Sequence, residues 1–151
     1  MANSGATVSE QTLKDYLDLK MHQTNIFMMI KFSSKLYKEM VTSHLEPQCE
    51  GVSNKTQWEK MKKLLNDSQA TFIVFKMSYK TKDGAHRGKI LFISWIPDSC
   101  SLKEKMVYAA SKNTLKNKLE GVAEEALNGT DMADLDYAEV ATSVSKGTAD
   151  V

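Results

Sequence analysis

The chain has 151 residues, 42% hydrophobic and 26% charged, the balance of an ordinary globular protein long enough to bury a core without staples. Its formal net charge of +1 excludes a global field for nucleic acid, so any basic patch must be local. Two cysteines, Cys49 and Cys100, form neither a C-x-x-C pair nor a Cys/His cluster, which excludes a disulfide framework and fits two free thiols in a reducing compartment.

The opening MANSGATVSE is too polar for a secretion signal and no apolar run suits a membrane span, so a cytoplasmic protein is expected and the sequons at Asn54, Asn66 and Asn128 are read as chance. Residues 1–8 form a flexible arm in this reading, with Thr7 and Ser9 as cap candidates for a helix over 10–21. Leu13, Tyr16, Leu17 and Met21 recur at helical spacing and mark the face expected to be buried. IFMMIKF at 26–32 predicts a buried strand, followed through Ser33-Ser34 by a second strand over 35–41 and a loop over 46–53. Trp58, Met61, Leu64 and Leu65 predict an amphipathic helix over 55–65. ATFIVFKMSY (70–79) and KILFISWI (89–96) are the strongest strand signals, and Asp83-Gly84 between them suits a hairpin tip. Pro97 favours an extended Ile96, and Ser99 or Ser101 can cap the long helix that follows. Gly121 stops that helix; 122–128 is open between a short strand and helix continuation, and 131–146 predicts a modest final helix, with a loose end after it. The order predicts an α/β sandwich around one mixed sheet, in a single domain.

Motifs for catalysis are not evident: there is no G-x-G-x-x-G, P-loop, H-E-x-x-H or G-x-S-x-G, so neither an enzyme nor a metal or cofactor is expected. His22, His44 and His86 stand alone, and Glu124-Glu125 are neighbours that need not face each other. Cys100 precedes a helix that could lower its thiol pKa, although an unremarkable thiol is the simpler reading.

The long helix holds the informative irregularity. At about 100° per residue, Leu102, Met106, Ala109 and Ala110 form one stripe, whereas Leu115 and Leu119 fall nearly opposite. Either the helix bends near 111–113, or the first stripe faces the core and the second faces something else. Lys105, Lys112 and Lys116 share a narrow face that is either plainly solvated or the rim of a docking site for an acidic partner, and Met106 is read as core before contact.

WIPDSCSLKEKMVYAASKNTLKNKLEGV resembles the long actin-binding helix of the actin-depolymerising factor/cofilin family, with its Pro-Asp pair, basic-x-Lys-Met step and Tyr-Ala-Ser-Ser-Lys-like run. SGATVSEQTLKDYLDLK resembles the family's amino terminus, and ATFIVFKMSYKTKDG with RGKILFISWIPD resembles its central hairpin. The resemblance implies one actin-depolymerising-factor homology domain over 1–151, a sheet of about five strands between helices, and a kinked long helix. It implies a monomeric cytoplasmic protein of the actin cytoskeleton that binds actin monomers and filaments, prefers the ADP form and promotes severing and disassembly. Carried over, the monomer-binding residues are Ser4, Gly5, Lys103, Lys105, Met106, Ser111 and Lys112, with Ser4 also the regulatory phosphorylation site. Filament-binding residues are Arg87, Lys89 and Lys146, whereas Thr142-Ser143 stand where an acidic-basic pair is usual. The basic nuclear-import insert of vertebrate relatives has no counterpart between Lys20 and Ile26. The alternatives are a phosphoinositide-binding membrane-surface protein, headgroups competing with actin for the same lysines, and a fold relative that has lost actin binding.

Overall fold

A computed structural model describes residues 6–22, 24–122 and 127–147. Along the chain run β1 (Thr7–Val8), α1 (Glu10–Met21), β2 (Asn25–Phe32), β3 (Glu39–Pro47), α2 (Asn54–Leu64), β4 (Thr71–Lys80), β5 (His86–Trp95), α3 (Leu102–Lys118) and β6 (Leu127–Gly129). A 3-10 turn (Met132–Leu135) and α4 (Tyr137–Val144) follow. The six strands make one sheet in the order β1-β3-β2-β4-β5-β6, antiparallel in the middle and parallel where β1 meets β3 and β6 meets β5. The sheet is therefore mixed, as expected, with six strands rather than about five. Strands β1 and β6, of two and three residues, are too short to show an alternation in sequence.

Apolar side chains alternate between two cores because both faces of the sheet are covered. Phe72, Val74, Phe92, Met28 and Ile30 point to the side held by α1 and α3, together with Tyr16, Leu19, Tyr108, Leu115 and Leu119. Ile73, Phe75, Leu91, Ile93, Phe27 and Met29 point to the other side, with Trp58 and Met61 of α2 and Val140 of α4. Trp58 is fully buried, and its indole N–H donates to the Leu135 carbonyl at 2.7 Å, fixing the 3-10 turn to α2.

Two expectations are corrected, the buried face of α1 and the start of the second strand. In α1 the buried residues are Thr12, Asp15, Tyr16 and Leu19, while Leu17 and Met21 are exposed. Polar residues can turn inward there because Asp15 accepts from Thr42 Oγ1 at 2.8 Å and from Gln11 Nε2 at 2.9 Å. The second strand begins at Glu39 and not at residue 35, because a turn with Tyr37 at φ 53° occupies the intervening positions. Its polar composition suits a strand whose outer side is paired only at Glu39 and Met40. The hairpin tip is as expected, with Gly84 at φ 92°.

Replacing Trp58 by Phe leaves the Leu135 carbonyl without its buried donor, and urea unfolding should show a loss of about 1–3 kcal/mol. Unchanged stability would mean that the bond is dispensable. Tyr16 and Tyr108 are both pushed up to about 12, chiefly by burial and secondarily, for Tyr16, by the neighbouring Glu120 charge. The neutral phenols are thus the favoured form in the folded state. Their contribution to stability is complete below the usual value of 10.0 and is lost as pH rises through about 12. An ultraviolet titration should show late phenol ionisation that moves down to about 10 in urea; ionisation of every phenol near 10 in the folded protein contradicts this.

Candidate functional site

Ser101 caps α3, its Oγ accepting from the Glu104 N–H at 3.1 Å. Ser99, the other cap candidate, instead donates to the Asp67 carbonyl at 2.7 Å and so ties the entry loop to the loop between α2 and β4. Cys100 is buried between them, and its thiol pKa is raised, first by burial and then by Glu104, against a smaller opposing effect of Lys105. This thiol is therefore not activated by the helix start.

One continuous helix accommodates both apolar stripes. Tyr108, Ser111 and Leu115 face the sheet, and Leu119 continues that line at the C-cap. The stripe of Leu102, Met106 and Ala109 lies on the opposite side, and Leu102 and Met106 are 73% and 63% exposed. Of the alternatives left open, a first stripe facing the core is ruled out, and Met106, read as core before contact, is exposed: the buried line is the second stripe. The physical reason is the partner that each line meets. Tyr108 reaches both the Phe72 ring, 5.0 Å between centroids, and the backbone N–H of Phe32, which donates to its hydroxyl at 3.3 Å. An apolar strip two turns long therefore remains in water.

The basic residues distribute around that strip. Lys103 is exposed beside it, with its ammonium 5.7 Å from the Tyr37 ring centroid. Lys105 is half-buried. Lys112 points towards β6, where it donates to Asn128 Oδ1 at 2.8 Å. Ser111 is fully buried, so its side chain supports the helix from inside and presents nothing to a partner; this corrects its placement among the contact residues. Ser4 and Gly5 lie outside the described residues. The segment that follows them is anchored, however. Ala6 is buried, and Thr7–Val8, expected in a flexible arm, pair in parallel with Glu39 and Met40.

A second basic region lies where the β4–β5 ribbon meets the last helix. The Lys89 ammonium donates to the Val144 carbonyl at 2.7 Å, satisfying a backbone group in the last turn of α4. Together they line a groove of 660 Å³ with Lys146, Ser143, Ile90 and Lys76. Arg87 lies on a shallower groove beside it, with Tyr79 and His86. The three basic positions inferred from the resemblance therefore share one end of the molecule. Lys76 of β4 joins the same groove, which no pattern in the strand itself signals because only the fold brings α4 beside it. Thr142 and Ser143 are exposed on the same helix. Among the described residues no group of three metal-ligating side chains comes together, and no helix is long and apolar enough to cross a membrane.

Residues 5–145 match the family model described as cofilin/tropomyosin-type actin-binding protein. The chain is 34% identical to a cofilin of Gibberella zeae over 161 residues, covering 99% of each. It is 30% identical to actophorin of Acanthamoeba castellanii, covering 95% of this chain and 97% of that one. Its fold is similar to that of actin depolymerization factor 2 of Plasmodium berghei, with a TM-score of 0.83, 28% identity and coverage of 96% and 99%. A six-stranded mixed sheet between helices, an outward apolar strip on α3 and these similarities together place the chain in the cofilin/tropomyosin-type actin-binding protein family.

Proposed function

We propose that this protein binds actin monomers and filaments in the cytoplasm, prefers the ADP form, and promotes filament severing and disassembly. It acts by binding rather than as an enzyme. The observation that carries the reading is the exposed strip of Leu102, Met106 and Ala109 flanked by Lys103 and Lys105, on a chain of this family. An apolar strip with a cationic rim suits an apolar cleft with acidic edges, where the rim charges steer encounter and the strip supplies the buried area. Lys103, Lys105, Met106 and Lys112 are the proposed monomer contacts on α3, with Ser4 and Gly5 in the amino-terminal segment. A phosphate on Ser4 would add about −1.5 to −2 charge to that segment and oppose docking on an acidic surface.

Binding to fluorescently labelled ADP-actin monomers tests this directly. Replacing Lys103 and Lys105 together by Ala, or Ser4 by Asp, should weaken binding at least about fivefold. Affinities within experimental error of the parent chain would remove the monomer surface from α3 and the regulatory role from Ser4.

The side-on filament contact is proposed for Arg87, Lys89 and Lys146. With Thr142 and Ser143 in place of an acidic-basic pair, this contact has fewer charged groups to pair with the filament, so filament binding should be weak relative to monomer binding. Installing Thr142→Glu with Ser143→Arg should then raise cosedimentation with ADP-actin filaments, by about two- to fivefold in affinity. Equal pelleting of variant and parent would show that this pair does not limit filament binding.

A further inference from the structure

Between β2 and β3 the chain makes a turn over 33–38 whose backbone is unusual. Tyr37 occupies the left-handed region at φ 53°, where an aromatic residue is rare. Local bonds hold it there: Ser33 N–H to Glu39 O at 2.9 Å, Tyr37 N–H to Ser34 O at 3.1 Å, and Leu36 N–H to Ser34 Oγ at 3.2 Å. This conformation sets the Tyr37 ring edge-on to Phe32, 5.4 Å between centroids, and Phe32 is edge-on to Tyr108 of α3 at 5.2 Å. The Lys103 ammonium stands over the same Tyr37 ring at 5.7 Å, within cation–π range. Leu36, at the tip, is 73% exposed. On its other side the turn joins β1, since Lys38 O accepts from the Thr7 N–H at 2.9 Å.

We infer that this turn is a further contact element of the actin-binding surface, in which Tyr37 is a positioning residue for Lys103 and Leu36 is an apolar contact beside Leu102 and Met106. The inference rests on the proposed role of α3. Continuity of the surface carries it. Lys103 belongs to α3 but is held by the turn, and Lys38 joins the turn to the strand that the amino-terminal segment enters. A partner that covers α3 at Lys103 together with β1 lies next to Tyr37 and Lys38, which touch both. The composition suits the same partner. Leu36 adds apolar area to Leu102 and Met106, while exposed Lys35, Lys38 and Lys103 surround it with positive charge, which fits an apolar cleft with acidic edges and disfavours a basic one. Tyr37 itself is half-buried and packs against the core on the α1 and α3 side, which fixes the ring that Lys103 stands over. A flexible lysine next to a partner otherwise loses rotamer freedom on docking, and pre-placing it over the ring reduces that loss.

The test is affinity for labelled ADP-actin monomers, measured on the full chain alongside the thermal midpoint of each variant. Leu36→Asp should weaken binding about tenfold with the midpoint unchanged, since the side chain is in solvent. Tyr37→Gly keeps the positive φ without strain, removes the ring, and should also weaken binding, whereas Tyr37→Phe should bind like the parent. In the double variant Tyr37→Gly with Lys103→Ala, loss of the ring should add less than about twofold to the effect of Lys103→Ala alone. Additive losses would end the positioning role, and Leu36→Asp binding within about twofold of the parent while Lys103→Ala weakens it would remove the turn from the surface. If neither Lys103→Ala nor Lys105→Ala changes binding, the reading of α3 itself fails and the turn falls with it.

Discussion

Burial of both faces of the sheet is the constraint on which the rest of this protein depends. Strands β2, β4 and β5 carry bulky apolar residues in both directions, so each face must be roofed by helices. On one face α1 and α3 share the work. Because α3 contacts the sheet along a single line, Tyr108 to Leu115 with Leu119 beyond, its other side is left to solvent. Apolar residues on that other side have no role in the core. Their exposure follows from covering a sheet with a helix; their being Leu and Met is what turns an ordinary outer face into one suited to a partner.

Core and surface are joined by a chain of rings. Phe92 stacks near Phe72, Phe72 meets Tyr108, Tyr108 meets Phe32, and Phe32 meets Tyr37, each pair with centroids within 5.6 Å. Lys103 stands at the end of this series. The first rings are anchored by complete burial and the last by a strained turn, so rigidity of the sheet extends to a charged group in solvent. The site on α3 is thereby tied to the fold by aromatic packing as well as by the helix backbone.

The opposite end is built differently. There the lysines act partly as structure: Lys89 holds the last turn of α4 through the Val144 carbonyl, and Lys76 donates to the His22 carbonyl at 3.4 Å. These cations cap backbone groups while keeping their charge close to one groove. A surface made this way depends on the seating of α4. Trp58 supports that seating from below through its bond to the Leu135 carbonyl and its contact with Tyr137, 6.1 Å between ring centroids.

The sequence alone determined what is local and repeated. The apolar runs of β2, β4 and β5, the Asp83-Gly84 tip, the serine caps and the extent of α1 were legible because periodicity and turn chemistry act over a few residues. The spacing of α3 also showed that two stripes could not share one core, and the motif around Lys103, Lys105 and Met106 pointed to the family. Which stripe is buried was not legible, since Leu102 and Leu115 are equally apolar and only the positions of Phe32 and Phe72 distinguish them. The inward turn of Asp15 depends in the same way on Thr42, and the pairing of Thr7–Val8 depends on Glu39 and Met40, all distant in sequence. Burial of Ser111 and the seat of Lys103 over Tyr37 belong to this group too. Tertiary structure decided these because a side chain's environment is set by what packs against it, and long-range neighbours leave no periodic trace in the segment they cover.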